Sequence, residues 1–131
     1  MLRNYLSLFA VLALLPLAGC AGSEAIFGIS QATGNFNATI TGRGDSGDRS
    51  TVWVNSGTAA NVSFSLAVGS SGQVTLTLRD ADGAQVYRET VTTDGERSRS
   101  GLTSTGTSGD WEVRIEVLDL DGTANVSVAP A

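Results

Sequence analysis

The chain has 131 residues, 8 basic side chains that are all Arg, 13 acidic ones, no His and one Cys, for a net charge of −5. The missing His excludes an imidazole general base and His metal ligands, and a lone Cys excludes an intrachain disulfide and a thiolate zinc site. An acidic chain without Lys lacks the clustered cations that a nucleic-acid backbone needs, so no nucleic-acid partner is expected.

The first predicted element is an address, not part of the fold. Met1 to Asn4 is a short n-region carrying Arg3, and Tyr5 to Leu17 is an apolar run interrupted by Ser7 and Pro16. That run is shorter than the ~20 residues of a comfortable membrane span. Residues 1–19 therefore read as a cleaved, helical signal peptide. Its end, Leu17-Ala18-Gly19-Cys20, closely resembles the lipobox of bacterial lipoproteins. The resemblance implies cleavage between Gly19 and Cys20, a diacylglyceryl thioether on Cys20 and a further acyl chain, such as palmitate, on the new amino group. Two or three chains meet the physical condition for firm anchoring, which one chain does not. With Ala21 next, the lipoprotein pattern implies a cell-envelope location, and the outer membrane if the source is a diderm. The alternative is an ordinary secretory signal cut near Ala18 or Ala21, with Cys20 incidental. Residues 20–24 are the lipidated Cys and a short tether, reaching ~14 Å at ~3.5 Å per residue.

Residues 25–131 alternate apolar and polar side chains with period 2, the mark of half-buried antiparallel strands. The strongest runs are 61–68, with Val62, Phe64, Leu66 and Val68 on one face; 73–79, with Val74, Leu76 and Leu78; and 111–118, with Trp111, Val113, Ile115 and Val117. Weaker strands are predicted over 25–30, 36–41, 50–55, 85–92, 97–102 and 123–128. Gly69-Ser70-Ser71-Gly72, Asp82-Gly83, Asp94-Gly95 and Asp121-Gly122 supply turn chemistry, and 42–49 and 103–110 read as the longest loops. The pattern predicts an all-β, antiparallel β-sandwich, jelly-roll-like or immunoglobulin-like, of about seven to nine strands in one domain.

Few side chains point to chemistry. Asp80 and Asp82 precede Gly83 as Asp119 and Asp121 precede Gly122. Pooled, these four carboxylates are candidate calcium ligands, but Ca²⁺ takes six to eight oxygens, and the spacing favours plain hairpin turns. No cofactor is expected beyond the covalent lipid. Trp53 sits between Val52 and Val54, and Tyr87 beside Val86, so alternation leaves open whether each ring faces solvent. If exposed, both are candidate binding residues that stack on sugars or anchor a partner. Arg43-Gly44-Asp45 spells an adhesion tripeptide, which chance readily produces in a Gly-rich chain. Glu112 and Glu116 share a strand face ~13 Å apart, too far for a glycosidase pair. An enzyme is not expected.

From Ser56 to Val128 the order of features resembles the bacterial pre-peptidase C-terminal domain group. The matching pieces are 57–68, the run Val74-Thr-Leu-Thr-Leu-Arg-Asp-Ala-Asp-Gly83 with Val86, and Ser108-Gly-Asp-Trp-Glu-Val-Arg-Ile115. The resemblance implies a small, non-catalytic β-sandwich of a secreted protein, of a kind that in some cases binds polymers or calcium. No peptidase precedes it here. The expectation is a lipid-anchored, non-enzymatic binding module for an envelope protein or polysaccharide; the alternative is a structural or accessory lipoprotein with no discrete ligand site.

Overall fold

The computed structural model describes residues 24–31 and 34–131; the signal segment and Cys20 lie outside them. Seven strands form: β1 (Ile26–Ser30), β2 (Phe36–Asn55), β3 (Ala60–Leu66), β4 (Ser71–Arg79), β5 (Gln85–Thr92), β6 (Ser98–Leu102) and β7 (Gly109–Pro130). All strand pairs are antiparallel. Nine expected runs give seven strands because two of the predicted breaks do not break the chain. The predicted loop over 42–49 is continuous strand, and so is the Asp121-Gly122 turn.

The reason lies in the β2–β7 ribbon. Its register slips between Arg43 and Asp45 and again between Asp45 and Gly47. Opposite these bulges, Asp119 takes φ 53° and Gly122 φ 119°. Bulges add twist and bend a strand without ending its pairing. The ribbon thus turns a corner and serves two sheets. One sheet runs β1, β2 (residues 36–43), β7 (residues 121–128), β3, β6; the other runs β2 (residues 47–55), β7 (residues 109–117), β4, β5. Gly-Ser-Asp stretches signal loops and bulges alike, which is why alternation alone read a loop here.

The inner faces meet in one core. Phe36, Ile40, Phe64, Val126 and Val128 come from the first sheet, and Trp53, Trp111, Val113, Ile115, Leu76 and Leu78 from the second. Residues 67–70 do not close a hairpin: β3 lies in the first sheet and β4 in the second, so this link crosses between sheets. Val68, expected in the core, stands fully exposed in that link.

The four turn aspartates lie at opposite ends of β4. Ser71 pairs with Asp121, whereas Arg79 leads into the Asp80–Gly83 turn, ~26 Å away at ~3.3 Å per residue. They cannot pool into one calcium site, and no group of three or more candidate metal-binding side chains occurs among the described residues. Asp80 instead organises its hairpin. Its Oδ1 accepts from the N–H of Asp82 (3.0 Å) and of Ala84 (2.8 Å), and its Oδ2 from that of Thr107 (2.9 Å). The Thr107 and Ala84 hydrogen bonds outweigh the cost of desolvation and hold the carboxyl below its ordinary pKa.

A depressed folded-state pKa means stability that is fully present above the unfolded value, roughly 3.9, and is lost as pH falls through the folded one. Asp80→Asn keeps one acceptor but turns an NH₂ toward a backbone donor. It is expected to lower Tm at pH 7 by about 5 °C. The gap to the parent should narrow as the pH is taken from 5 to 2. Thermal melts across that range check it, and a constant gap would exclude the carboxylate's charge as the cause.

Candidate functional site

Of the two aromatic candidates, the structure removes one. Trp53 is 1% exposed, and Val52 and Val54 face outward instead, at 59% and 62%. The indole packs edge-on against Trp111, with centroids 5.9 Å apart, and donates its Nε1–H to the Gly34 carbonyl at 2.8 Å. Burying the larger ring and wetting two smaller valines removes more apolar area from water, and the indole N–H finds its acceptor inside. Trp53 therefore offers no face to a ligand.

Tyr87 stays half-buried at the surface. A bulge beside it, where Leu78 pairs with Tyr87 but Arg79 with Gln85, re-aims the strand so that neighbouring Val86 is also buried. The Tyr87 ring rests edge-on against Phe64, 6.4 Å between centroids. Burial, and then the nearby Glu89 carboxylate, raise its phenol pKa above the ordinary value.

The ring lies where the sandwich is open along one side. β5 is an edge of the second sheet and β6 an edge of the first. The two strands are joined at both ends of this seam, by Thr92 N–H to the Glu96 carbonyl (2.9 Å) and by Ser104 N–H to the Val86 carbonyl (3.0 Å). Between these ties the gap is spanned by a side chain. Arg99 donates Nε–H to the Thr90 carbonyl at 2.9 Å and approaches the Glu89 carboxylate to 3.4 Å. A Cβ added at Gly101 would meet nothing within 4 Å, so the seam is hollow there.

Two shallow depressions of about 450 and 350 Å³ share Tyr87, Glu89 and Leu102, forming a continuous cleft. Glu96, Ser98, Arg99 and Ser100 line the first, and Gln85 and Ser104 the second. The cleft thus brings one aromatic ring and a carboxylate–guanidinium pair to an edge strand whose Ser98, Ser100 and Leu102 side chains alternate onto the outer face of the first sheet. Such a set can hold and orient a polar ligand that also has an apolar face. Reading the sequence picked out Tyr87 but not Glu89, Arg99, Ser98 or Leu102, because their meeting depends on two edge strands from different sheets.

No protein-family model matches the chain, and no curated protein sequence does. Three solved structures are similar to it at a low level. A CBM4 structure is 11% identical with a TM-score of 0.43, covering 83% of this chain and 79% of that one. TmCBM61, solved with β-1,4-galactotriose, is 13% identical with a TM-score of 0.43, covering 82% and 70%. The arabinose-bound MgGH51 α-L-arabinofuranosidase is 14% identical with a TM-score of 0.42, and the match covers 82% of this chain but 22% of the enzyme.

Proposed function

We propose that the protein is a non-catalytic polysaccharide-binding module, carried at the cell envelope by lipid on Cys20, with the β5–β6 cleft as its ligand site. The observation that carries this reading is the make-up of the cleft. Sugars present pairs of hydroxyls on a ring that also has C–H faces. The Glu89–Arg99 pair suits the former, and the Tyr87 ring suits the latter. Glu89 and Arg99 are bound to one another, and Arg99 to the Thr90 carbonyl, an arrangement that suits orienting a ligand rather than shuttling protons. The lipobox, Leu17-Ala18-Gly19-Cys20, supports the envelope location.

The test is binding of the mature protein to a glycan array of neutral and charged oligosaccharides. At least one soluble oligosaccharide should bind, and Tyr87→Ala should weaken it at least about tenfold, the loss of one stacking contact. An array with no ligand, or a Tyr87→Ala variant that binds like the parent, would refute the cleft. In the same cells, Cys20→Ser should move the protein from the membrane to the soluble fraction; a variant still in the membranes would refute the anchor.

A further inference from the structure

The two outer faces of the sandwich differ in a way that overall composition does not predict. On the second sheet the outer face is a ladder of charges. Arg114 contacts Asp48 at 2.7 Å and Glu116 at 3.7 Å, Arg88 contacts Glu116 at 3.8 Å, and Arg79 contacts Glu112 at 3.7 Å. On the first sheet, beyond the Arg43–Asp121 register pair at the corner, no charged side chain among the described residues of its strands stands on the outer face.

The strand register brings Thr39, Asn125 and Ser65 into one cross-strand row, and Asn37, Ser127 and Ser63 into the next. These six side chains line a shallow depression of about 190 Å³ in the middle of the sheet. Thr39 Oγ1 donates to Asn125 Oδ1 at 3.3 Å, which orients that carboxamide. Strand geometry sets the array at ~4.8 Å across strands and ~6.8 Å along them.

The chemistry of this face selects its partner by what it lacks. Its one cation among the described residues is Arg43, at the corner and opposite Asp121 in register, so it has no basic cluster for phosphates, nucleic acids or anionic lipid. Away from that corner it has none of the aromatic or Arg anchors that dominate protein interfaces. The six side chains at its centre are all hydroxyls or carboxamides, able both to donate and to accept, and exposed Ile26 and Leu102 flank them on the outer strands. The matching surface is uncharged, extended and covered in hydroxyls.

We infer that this face is a second binding surface, taking the surface of an ordered neutral polysaccharide through many weak contacts at fixed spacing. The inference rests on the polysaccharide reading of the module but on different residues from the cleft. The two sites adjoin: Ser98 and Ser100 line the cleft, and in register they pair with Ser65 and Ser63 of this face. A polymer chain leaving the face over β6 therefore reaches the cleft.

The test retains the mature protein on microcrystalline cellulose, on chitin and, as a polyanionic control, on insoluble calcium alginate, at physiological salt. The expected result is retention on at least one neutral polymer and none on alginate. Thr39→Lys with Ser63→Lys, two exposed positions that are not opposed in register, should cut that retention at least tenfold while leaving soluble-oligosaccharide binding unchanged. Thr39→Ser with Ser63→Thr should preserve retention, and circular-dichroism melts of both pairs establish that each is folded. Undiminished retention of the Lys pair, or equal retention on alginate, overturns the inference. Binding of soluble oligosaccharides without retention on either neutral polymer overturns it alone and leaves the cleft standing. Binding of neither probe overturns the polysaccharide reading and this inference with it.

Discussion

Trp111→Ala is expected to lower the unfolding free energy by about 3–5 kcal/mol, the range for deleting a large buried aromatic side chain. Trp111 is 0% exposed and sits on β7 where that strand is central to the second sheet. Removing it forfeits the edge-to-face contact with Trp53 and opens a cavity between the sheets that the surrounding strands cannot close. It also cuts a tie to the 103–108 loop. Thr107 is held from three directions: its carbonyl accepts from Trp111 Nε1 at 2.7 Å, its N–H donates to Asp80, and its hydroxyl donates to Asp82 at 2.7 Å. Against a typical total of ~5–15 kcal/mol, the loss brings a domain of this size close to unfolding. Trp111→Phe keeps most of the packing and leaves the Thr107 carbonyl only the longer hydrogen bond from the Ala81 N–H at 3.3 Å, so about 1 kcal/mol is expected. Urea denaturation followed by circular dichroism checks both. Equal effects of the two substitutions would assign the cost to the hydrogen bond rather than to the cavity.

Gly72→Ala is the second large effect, of about 3 kcal/mol or more, from backbone strain together with a steric collision. Gly72 has φ 127°, which L side chains rarely adopt. A Cβ there would lie 2.7 Å from the Asp119 carbonyl oxygen and 2.8 Å from Leu120 Cα. Both atoms are backbone of β7 at the corner, so neither can swing aside. The Gly72 N–H also donates to Thr93 Oγ1 at 2.7 Å, and its carbonyl accepts from Thr93 N–H at 3.1 Å, which ties the β5–β6 link to the corner. Gly101→Ala is the matched control, since its Cβ meets nothing within 4 Å and it should change stability by less than about 0.5 kcal/mol. The same urea titrations decide the matter: a Gly72→Ala variant as stable as Gly101→Ala would mean that the corner yields more than its geometry implies.

Much of the fold was legible because one-sided burial leaves a period-2 trace. Val74, Leu76 and Leu78, and Trp111 through Val117, face the core as alternation requires. Three things were not legible, each for a physical reason. Alternation fixes which side chains share a face but not which face is inside, so Trp53 between two valines read equally well either way. A bulged strand and a loop draw on the same Gly, Ser and Asp residues, so the corner at 43–47 looked like a break. Adjacency across sheets leaves no local trace at all. Tyr87 and Arg99 are twelve residues apart and meet only because β5 and β6 edge different sheets. The uncharged outer face is likewise visible only once register aligns Thr39, Asn125 and Ser65.

The shared ribbon also constrains the order in which the chain can fold. Phe36 pairs with Val128 and Asn55 with Gly109, so β2 pairs along its whole length with β7, and its first part also with β1. β7 is central to both sheets; without it β3 and β6 have no link to β2, and the β4–β5 hairpin stands alone. Sequential neighbours pair directly only in β1–β2 and β4–β5. Such a topology offers few local footholds and gains most of its contacts in one late, long-range closure, the pattern of slow-folding all-β chains. A nascent chain lacking its C-terminal 22-residue strand has two hairpins and no sandwich, and it stays unfolded until that strand is made.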